Sequence, residues 1–131
     1  MPKKCLQNNN CAALGVGIDM VEVARIEKLT KKNDRFLKRT FTESELEYCL
    51  GAKNKYERLA VRFAAKEAGW KAMGIEGIAL KDIEVIETQN GRPVLKCADK
   101  RSKNLHFHIS LSHTKDYGCA VVMVCKNNEN S

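Results

Sequence analysis

The chain has 131 residues, 44% hydrophobic and 30% charged, with a formal charge of +7 and two prolines, the length and composition of one packed globular domain rather than a disordered or fibrous chain. No run approaches the roughly 20 apolar residues that a membrane-spanning helix needs, and MPKKCLQNNN lacks the apolar stretch of a signal peptide. Cys5, Cys11, Cys49, Cys97, Cys119 and Cys125 form no close C-x2-C pair, which argues against a metal knuckle and for reduced thiols in a reducing compartment, the cytoplasm.

A single domain is expected over 1–131, with polar ends at 1–11 and 126–131 that are flexible. In AALGVGID, Leu14, Val16 and Ile18 alternate with Gly15, Gly17 and Asp19, a strand that carries Asp19 opposite its apolar set. The glycines leave room on the aspartate's face for another backbone or a ligand. From Val21 the period becomes helical: Val23, Ile26 and Leu29 or Thr30 form an apolar stripe, with Arg25, Lys28 and Lys32 on another side. Seven basic residues between Arg25 and Arg39 face only Glu27 and Asp34, a local balance of +5. That is either a solvated helix face or a landing surface for an acidic partner. Thr42 followed by Glu45 reads as a capping box ahead of Leu46 and Leu50.

A long helix is predicted from about Lys55 to Met73, alanine-rich and stopped by Gly74. Val61, Ala64, Ala65, Ala68 and Ala72 make a narrow small-residue stripe, and Leu59, Phe63 and Trp70 a bulky one. Arg62 and Lys66 fall in one seam between the stripes, Glu67 and Lys71 in the other, and charges crowded there need partners. Asn90-Gly91 predicts a hairpin turn in which both residues take positive φ. LHFHISLS alternates, with Leu105, Phe107, Ile109 and Leu111 inward and His106, His108, Ser110 and Ser112 outward. YGCAVVMV reads as a strand covered on both sides. The whole suggests an α+β domain, an antiparallel sheet packed against helices.

Two carboxylates stand out: Asp19 after a glycine-bearing strand and Glu67 in a helix seam. Each could be structurally paired, as Glu67 with Lys71 at i,i+4. Together, with lysines and arginines nearby, they suit a divalent cation clamped onto a phosphate, since Mg²⁺ takes one or two carboxylates and fills its other positions with water and phosphate oxygens. His106 and His108 share a strand face, but a zinc site lacks a third ligand. His113, in SLSHTKD, either stabilises a turn or faces a phosphate.

GIDMVEVARI (17–26), FLKRTFTESELEYC (36–49), RFAAKEAGWKAMG (62–74), NGRPVL (90–95) and ISLSHTKDYGCAVVMV (109–124) occur in this order. In this the chain resembles the holo-acyl carrier protein synthases, the small bacterial-type 4'-phosphopantetheinyl transferases, over about Gly15 to Val124. The resemblance implies an enzyme that moves the phosphopantetheine arm of coenzyme A to a serine of an acyl carrier protein, in support of fatty acid biosynthesis, releasing adenosine 3',5'-bisphosphate. It implies that Asp19 and Glu67 hold Mg²⁺, and that Lys66 stabilises or protonates the leaving phosphate. A metal-bound water and Glu67 are the two candidates to take the serine's proton.

By the same resemblance, Arg62, Lys71 and the Ser112-His113-Thr114 segment contact coenzyme A phosphates, and Asn90, Gly91, Arg92 and Pro93 lie near the nucleotide. The family's small members form trimers with active sites between subunits, and Arg25, Lys28, Lys32 and Arg35 become a dock for the acidic carrier protein. Two features depart from the pattern. Val21 stands where the larger transferases carry a second acid, so water is expected in that position. More residues precede G-I-D than is usual, and a plastid-type organelle is the alternative compartment if a targeting segment has been trimmed. The competing reading is a non-enzymatic basic module for an acidic protein or RNA. It leaves Asp19 and Glu67 without a role, and 6% aromatic content gives little for bases to stack on, so neither nucleic acid nor membrane is expected as a partner.

Overall fold

The computed structural model describes residues 13–127, running β1 (Ala13–Glu22), α1 (Val23–Lys32), α2 (Phe36–Thr40), α3 (Glu43–Leu50), α4 (Lys55–Met73), β2 (Ile83–Glu87), β3 (Pro93–Cys97), β4 (Leu105–His113) and β5 (Tyr117–Lys126). β1, β5 and β4 form an antiparallel sheet in that order, and β2 and β3 pair separately. This is the expected α+β architecture. Most of the polar ends, with Cys5 and Cys11, lie outside the described residues. β5 nevertheless reaches Lys126, and Asn127 N–H donates to Asn104 O at 2.6 Å, so the strand enters the segment expected to be flexible from residue 126.

Helix α4 is the centre of the molecule. Its alanine face lies on the sheet: Ala60, Ala64, Ala65 and Ala68 are fully buried, beside Val122 and Val124 of β5. The approach is that of backbone on backbone. A Cβ built on Gly15 would stand 2.1 Å from Ala72 O, and one on Gly17 2.0 Å from Ala68 O. Only glycine fits under the helix at these positions.

The capping box forms as its residues dictate, with Thr42 Oγ1 accepting from Glu45 N and Glu45 Oε1 accepting from Thr42 N. Gly74 closes α4 at a left-handed φ of 65°. α2 lies between the predicted helices without a sequence signal of its own. It sits where Phe36 packs on Phe41 and Phe63.

Three expectations change. The hairpin exists, but only Gly91 has positive φ. A turn closed by Gly91 N–H on Thr88 O precedes it, and Asn90 Oδ1 accepts from Arg92 N and the Thr88 hydroxyl, giving the longer turn-plus-bulge connection. Trp70 leaves the bulky stripe for solvent. Phe63 lies under α1 and α2, whereas Trp70 is about two turns further along, past their reach. Among the described residues β5 is covered on one face only, because no second layer of them lies on the other.

That bare face is apolar. The glycine side of β1 is taken by α4, so Leu14, Val16, Ile18 and Met20 point away, each 61–65% exposed. In register beside them stand Met123 opposite Val16 and Val121 opposite Ile18. Introducing Gly17→Ala should force α4 off the strand and cost about 3 kcal/mol, the upper end for overpacking, because a backbone carbonyl cannot step aside as a side chain can. Urea denaturation of the variant against the parent measures this.

Candidate functional site

β1 is an edge strand, and α4 crosses it so closely that residues beside the small stripe meet strand residues directly. Glu67 comes against Asp19 there. Lys71 Nζ donates to Ile18 O and to Asp19 Oδ1, each at 3.1 Å. Lys71 therefore pairs with Asp19. Asp19 Oδ2 is buried and accepts no hydrogen bond, an arrangement that costs free energy until something cationic meets it. Burial, and then the hydrogen bond and charge of Asp19, hold the Glu67 carboxyl above its usual range, against the pull of Arg25 and Lys71. Two acids in one seam, one with a bare buried oxygen, fit a hard cation with oxygen ligands. Among the described residues no third His, Cys, Asp or Glu joins them, and Val21, two residues on, is core at 2% exposure.

A second site lies on the other flank of α4. A groove of about 430 Å³ runs between α3, α4, the β2–β3 hairpin and β4, and its walls carry Arg58, Arg62, Arg92 and His113. Arg62 is 3% exposed yet cationic. Its Nη2 donates to Glu87 Oε2 at 3.0 Å, its guanidinium lies 4.3 Å from the Tyr48 ring centre, and its Nε has no acceptor. Arg58 covers the same ring at 4.6 Å. Planar cations held by an aromatic face have the chemistry to receive phosphate or carboxylate oxygens. His113 Nδ1 lies 3.1 Å from Glu57 Oε1.

Of the residues expected to bind the nucleotide, Arg62, Gly91, Arg92, Pro93 and His113 line this groove. Lys71 stands at the acid pair. Asn90 is occupied in its turn, Thr114 Oγ1 accepts from Asp116 N and Tyr117 N, and Ser112 lies opposite Cys119, on the sheet face away from α4. Tyr48, Asn54, Arg58 and Glu87 were not anticipated. For Asn54 and Arg58 the signal was available, since they precede Arg62 by two helical turns and one.

Lys66, expected at the leaving phosphate, points elsewhere. Its side chain is fully buried, with Nζ 2.6 Å from Glu45 Oε1 and donating to the carbonyls of Leu80 and Ile83. Burial lowers its proton affinity, and Glu45 opposes the shift. Glu45 Oε2 also accepts from Val85 N at 2.9 Å, so the pair ties α3 and β2 to α4. Its neighbour Glu67 projects about 100° around the helix and serves the acid site instead.

The basic set Arg25, Lys28, Lys32 and Arg35 is exposed on and just after α1, and Arg25 also lies 5.9 Å from the Phe63 ring centre, close enough to Glu67 to stabilise its ionised form. His106 and His108 stack edge to face at 4.7 Å. Cys49, Cys97 and Cys119 are free thiols. No helix among the described residues is long and apolar enough to cross a membrane.

A family model described as the 4'-phosphopantetheinyl transferase superfamily matches residues 15–122. The holo-[acyl-carrier-protein] synthase of a Geobacter species is 46% identical over 121 residues, covering 84% of this chain and 94% of the relative. That of Bacillus subtilis is 40% identical over 115 residues, covering 84% and 93%. Among solved structures, the holo-(acyl-carrier-protein) synthase of Bacillus anthracis in complex with CoA (3',5'-ADP) superposes with a TM-score of 0.76 at 36% identity, covering 88% of this chain and 98% of that one. The Helicobacter pylori enzyme in complex with coenzyme A gives 0.72 at 32%, covering 83% and 98%.

The buried pair generates its own test. Glu45→Gln or Lys66→Met alone leaves a buried charge uncompensated and should cost about 3–5 kcal/mol, whereas the double variant should lose clearly less than the two single losses combined. A double-mutant cycle in urea measures the coupling.

Proposed function

The chain belongs to the 4'-phosphopantetheinyl transferase superfamily, and on that premise we propose that it transfers 4'-phosphopantetheine from coenzyme A to a serine of an apo-acyl carrier protein, releasing adenosine 3',5'-bisphosphate. The serine oxygen forms a bond to the β-phosphorus as the bond from that phosphorus to the departing nucleotide's oxygen breaks, and the serine's proton passes to water or to Glu67. The observation that carries the reading at the level of residues is the bare, buried Asp19 Oδ2 beside Glu67 and Lys71. Asp19 and Glu67 would hold Mg²⁺, which when bound offsets the charge of the diphosphate. Lys71, its ammonium already in the seam and its side chain half exposed, is placed to donate to the departing phosphate. Lys66 supports the reaction by holding α3 and β2 in place.

The arginine groove suits the nucleotide's phosphates. It does not open on the acid pair of its own chain: Arg62 and Glu67 are five positions apart on α4 and so project about 140° apart. A groove of one copy facing the acids of another completes the site, and the apolar outer face of β1 and β5 provides the surface for that assembly. We take the assembly to be a homotrimer. Arg25, standing between the basic face of α1 and Glu67, leads an acidic carrier protein to the reacting centre. The free thiols favour a reducing compartment, the cytoplasm, and the carrier's role assigns the enzyme to fatty acid biosynthesis.

With apo-acyl carrier protein, coenzyme A and Mg²⁺, intact mass should show the carrier gaining one phosphopantetheine. Asp19→Asn should lower kcat by at least about a hundredfold and abolish the rise in melting temperature that Mg²⁺ gives the parent. Parental turnover and an unchanged Mg²⁺ response in the variant would remove the metal assignment. Ile18→Glu, on the outer face, should shift sedimentation from trimer to monomer and silence transfer, with far-UV circular dichroism unchanged.

A further inference from the structure

Lys71 stands four positions after Glu67 on α4, the spacing of a helical ion pair, yet among the described residues its ion pair is with Asp19 of β1 and not with Glu67. It crosses from helix to strand. Its Nζ donates to Asp19 Oδ1 and to Ile18 O, each at 3.1 Å, while Asp19 Oδ2 is buried and accepts nothing. One aspartate thus carries a monovalent cation on one oxygen and keeps the other unspent.

Two carboxylates pressed together in a seam repel each other, and with Asp19 mostly buried little water is there to screen them. Lys71 offsets that repulsion at both acids, by contact with Asp19 and by favouring the ionised form of Glu67. A divalent cation held by Asp19 Oδ2 and Glu67 would do the same with twice the charge. An ammonium and a divalent cation would then share one carboxylate, at a range where like charges repel strongly. Of the two, the ammonium is the one able to leave: it sits on a flexible four-carbon stem, its side chain is half exposed, and its other tie is a single backbone carbonyl.

Resting on the transferase reading above, we propose that Lys71 is the built-in counter-ion of the acid pair: it occupies Asp19 in the metal-free protein, competes with a divalent cation for the seam, and is displaced when that cation binds. Two consequences follow from the arrangement. The acids stay together without metal, because the ammonium replaces part of the missing positive charge. The ammonium also becomes available to a phosphate only once the metal has taken its place, so metal uptake and the release of Lys71 are one event.

Removing a side chain from a binding site ordinarily weakens binding; here it should strengthen it. Mg²⁺ affinity in the absence of coenzyme A can be read from the dependence of the melting temperature on Mg²⁺ concentration. Lys71→Met should bind Mg²⁺ about tenfold more tightly than the parent, and Lys71→Gln should do likewise. Lys71→Arg, which keeps the cation, should stay within about twofold of the parent. Without Mg²⁺, Lys71→Met should melt below the parent, and saturating Mg²⁺ should raise its melting temperature by more. Adding Asp19→Asn to Lys71→Met should remove the gain, since the gain acts through that carboxylate. Parental or weaker Mg²⁺ affinity in both neutral variants, or an equal gain in Lys71→Arg, would overturn the counter-ion, while carrier modification by the parent would leave the transferase reading intact. A parent that neither responds to Mg²⁺ nor modifies the carrier would overturn that reading, and the counter-ion with it.

Discussion

Helix α4 touches the sheet through backbone atoms, and the candidate acid site is placed by that distance. Gly15 and Gly17 lie under the carbonyls of Ala72 and Ala68, and Gly118 of β5 lies under Val61 in the same way. With no side chain between helix and strands at these points, residues flanking the contact come within hydrogen-bonding reach of the sheet. Lys71 reaches a carbonyl of the edge strand, and Glu67 reaches Asp19. A helix resting on ordinary side chains would lie near the usual packing distance of about 10 Å, and the two carboxyls would each be solvated separately. The unfavourable closeness of two acids is thus imposed by packing, and the apolar burial along the rest of α4 offsets it.

The four charges in the middle of α4 show how position on a helix overrides position in sequence. Lys66 and Glu67 are neighbours in the chain but project about 100° apart, whereas Glu67 and Lys71 differ by only about 40°. One lysine is consequently drawn into the core, where a carboxylate and two carbonyls replace its water. The other stays half in solvent with its charge available. An ammonium committed to three buried acceptors cannot follow a phosphate through a reaction without breaking those bonds, whereas an edge-bound ammonium exchanges one oxygen for another. Arg62 is intermediate: buried like Lys66, but with Nε unspent and its residue lining a groove.

What could be read from the sequence was what local chemistry decides. Alternation in β1, the capping box at Thr42, the length of α4 and its stop at Gly74 depend on residues a few positions apart, and all appear where the pattern puts them. The acids of the candidate site could be singled out because each was a charge in an apolar or glycine-rich setting. Tertiary facts were not legible. Trp70 belongs to the bulky stripe by periodicity, yet α1 and α2 end before reaching it. β5 has the composition of a strand buried on both faces, yet the described residues supply one layer. Lys66 could not be separated from Lys71 until Glu45, 21 positions upstream, was seen to occupy the core beside it. Tyr48 and Glu87 are ordinary residues in sequence and acquire meaning only through the guanidinium they hold.

The bare sheet face and the acid site are consequences of a single register. Side chains in a strand alternate with a period of two, so Asp19 cannot turn toward α4 unless Ile18 and Met20 turn away from it. Every residue that β1 commits to the helix leaves an apolar neighbour on the other side, where β5 adds Val121 and Met123 in the same register. The described residues supply no further layer to cover that surface, and a polar outer face would have served a monomer better. That β1 carries leucine, valine, isoleucine and methionine there fits the proposed assembly, in which a second copy would cover the surface and would bring an arginine groove to acids that their own chain's groove cannot face. In that proposed arrangement the strand that positions Asp19 would also build the assembly, and a one-residue slip in its pairing would bury the apolar set under α4 and carry Asp19 to the outer face.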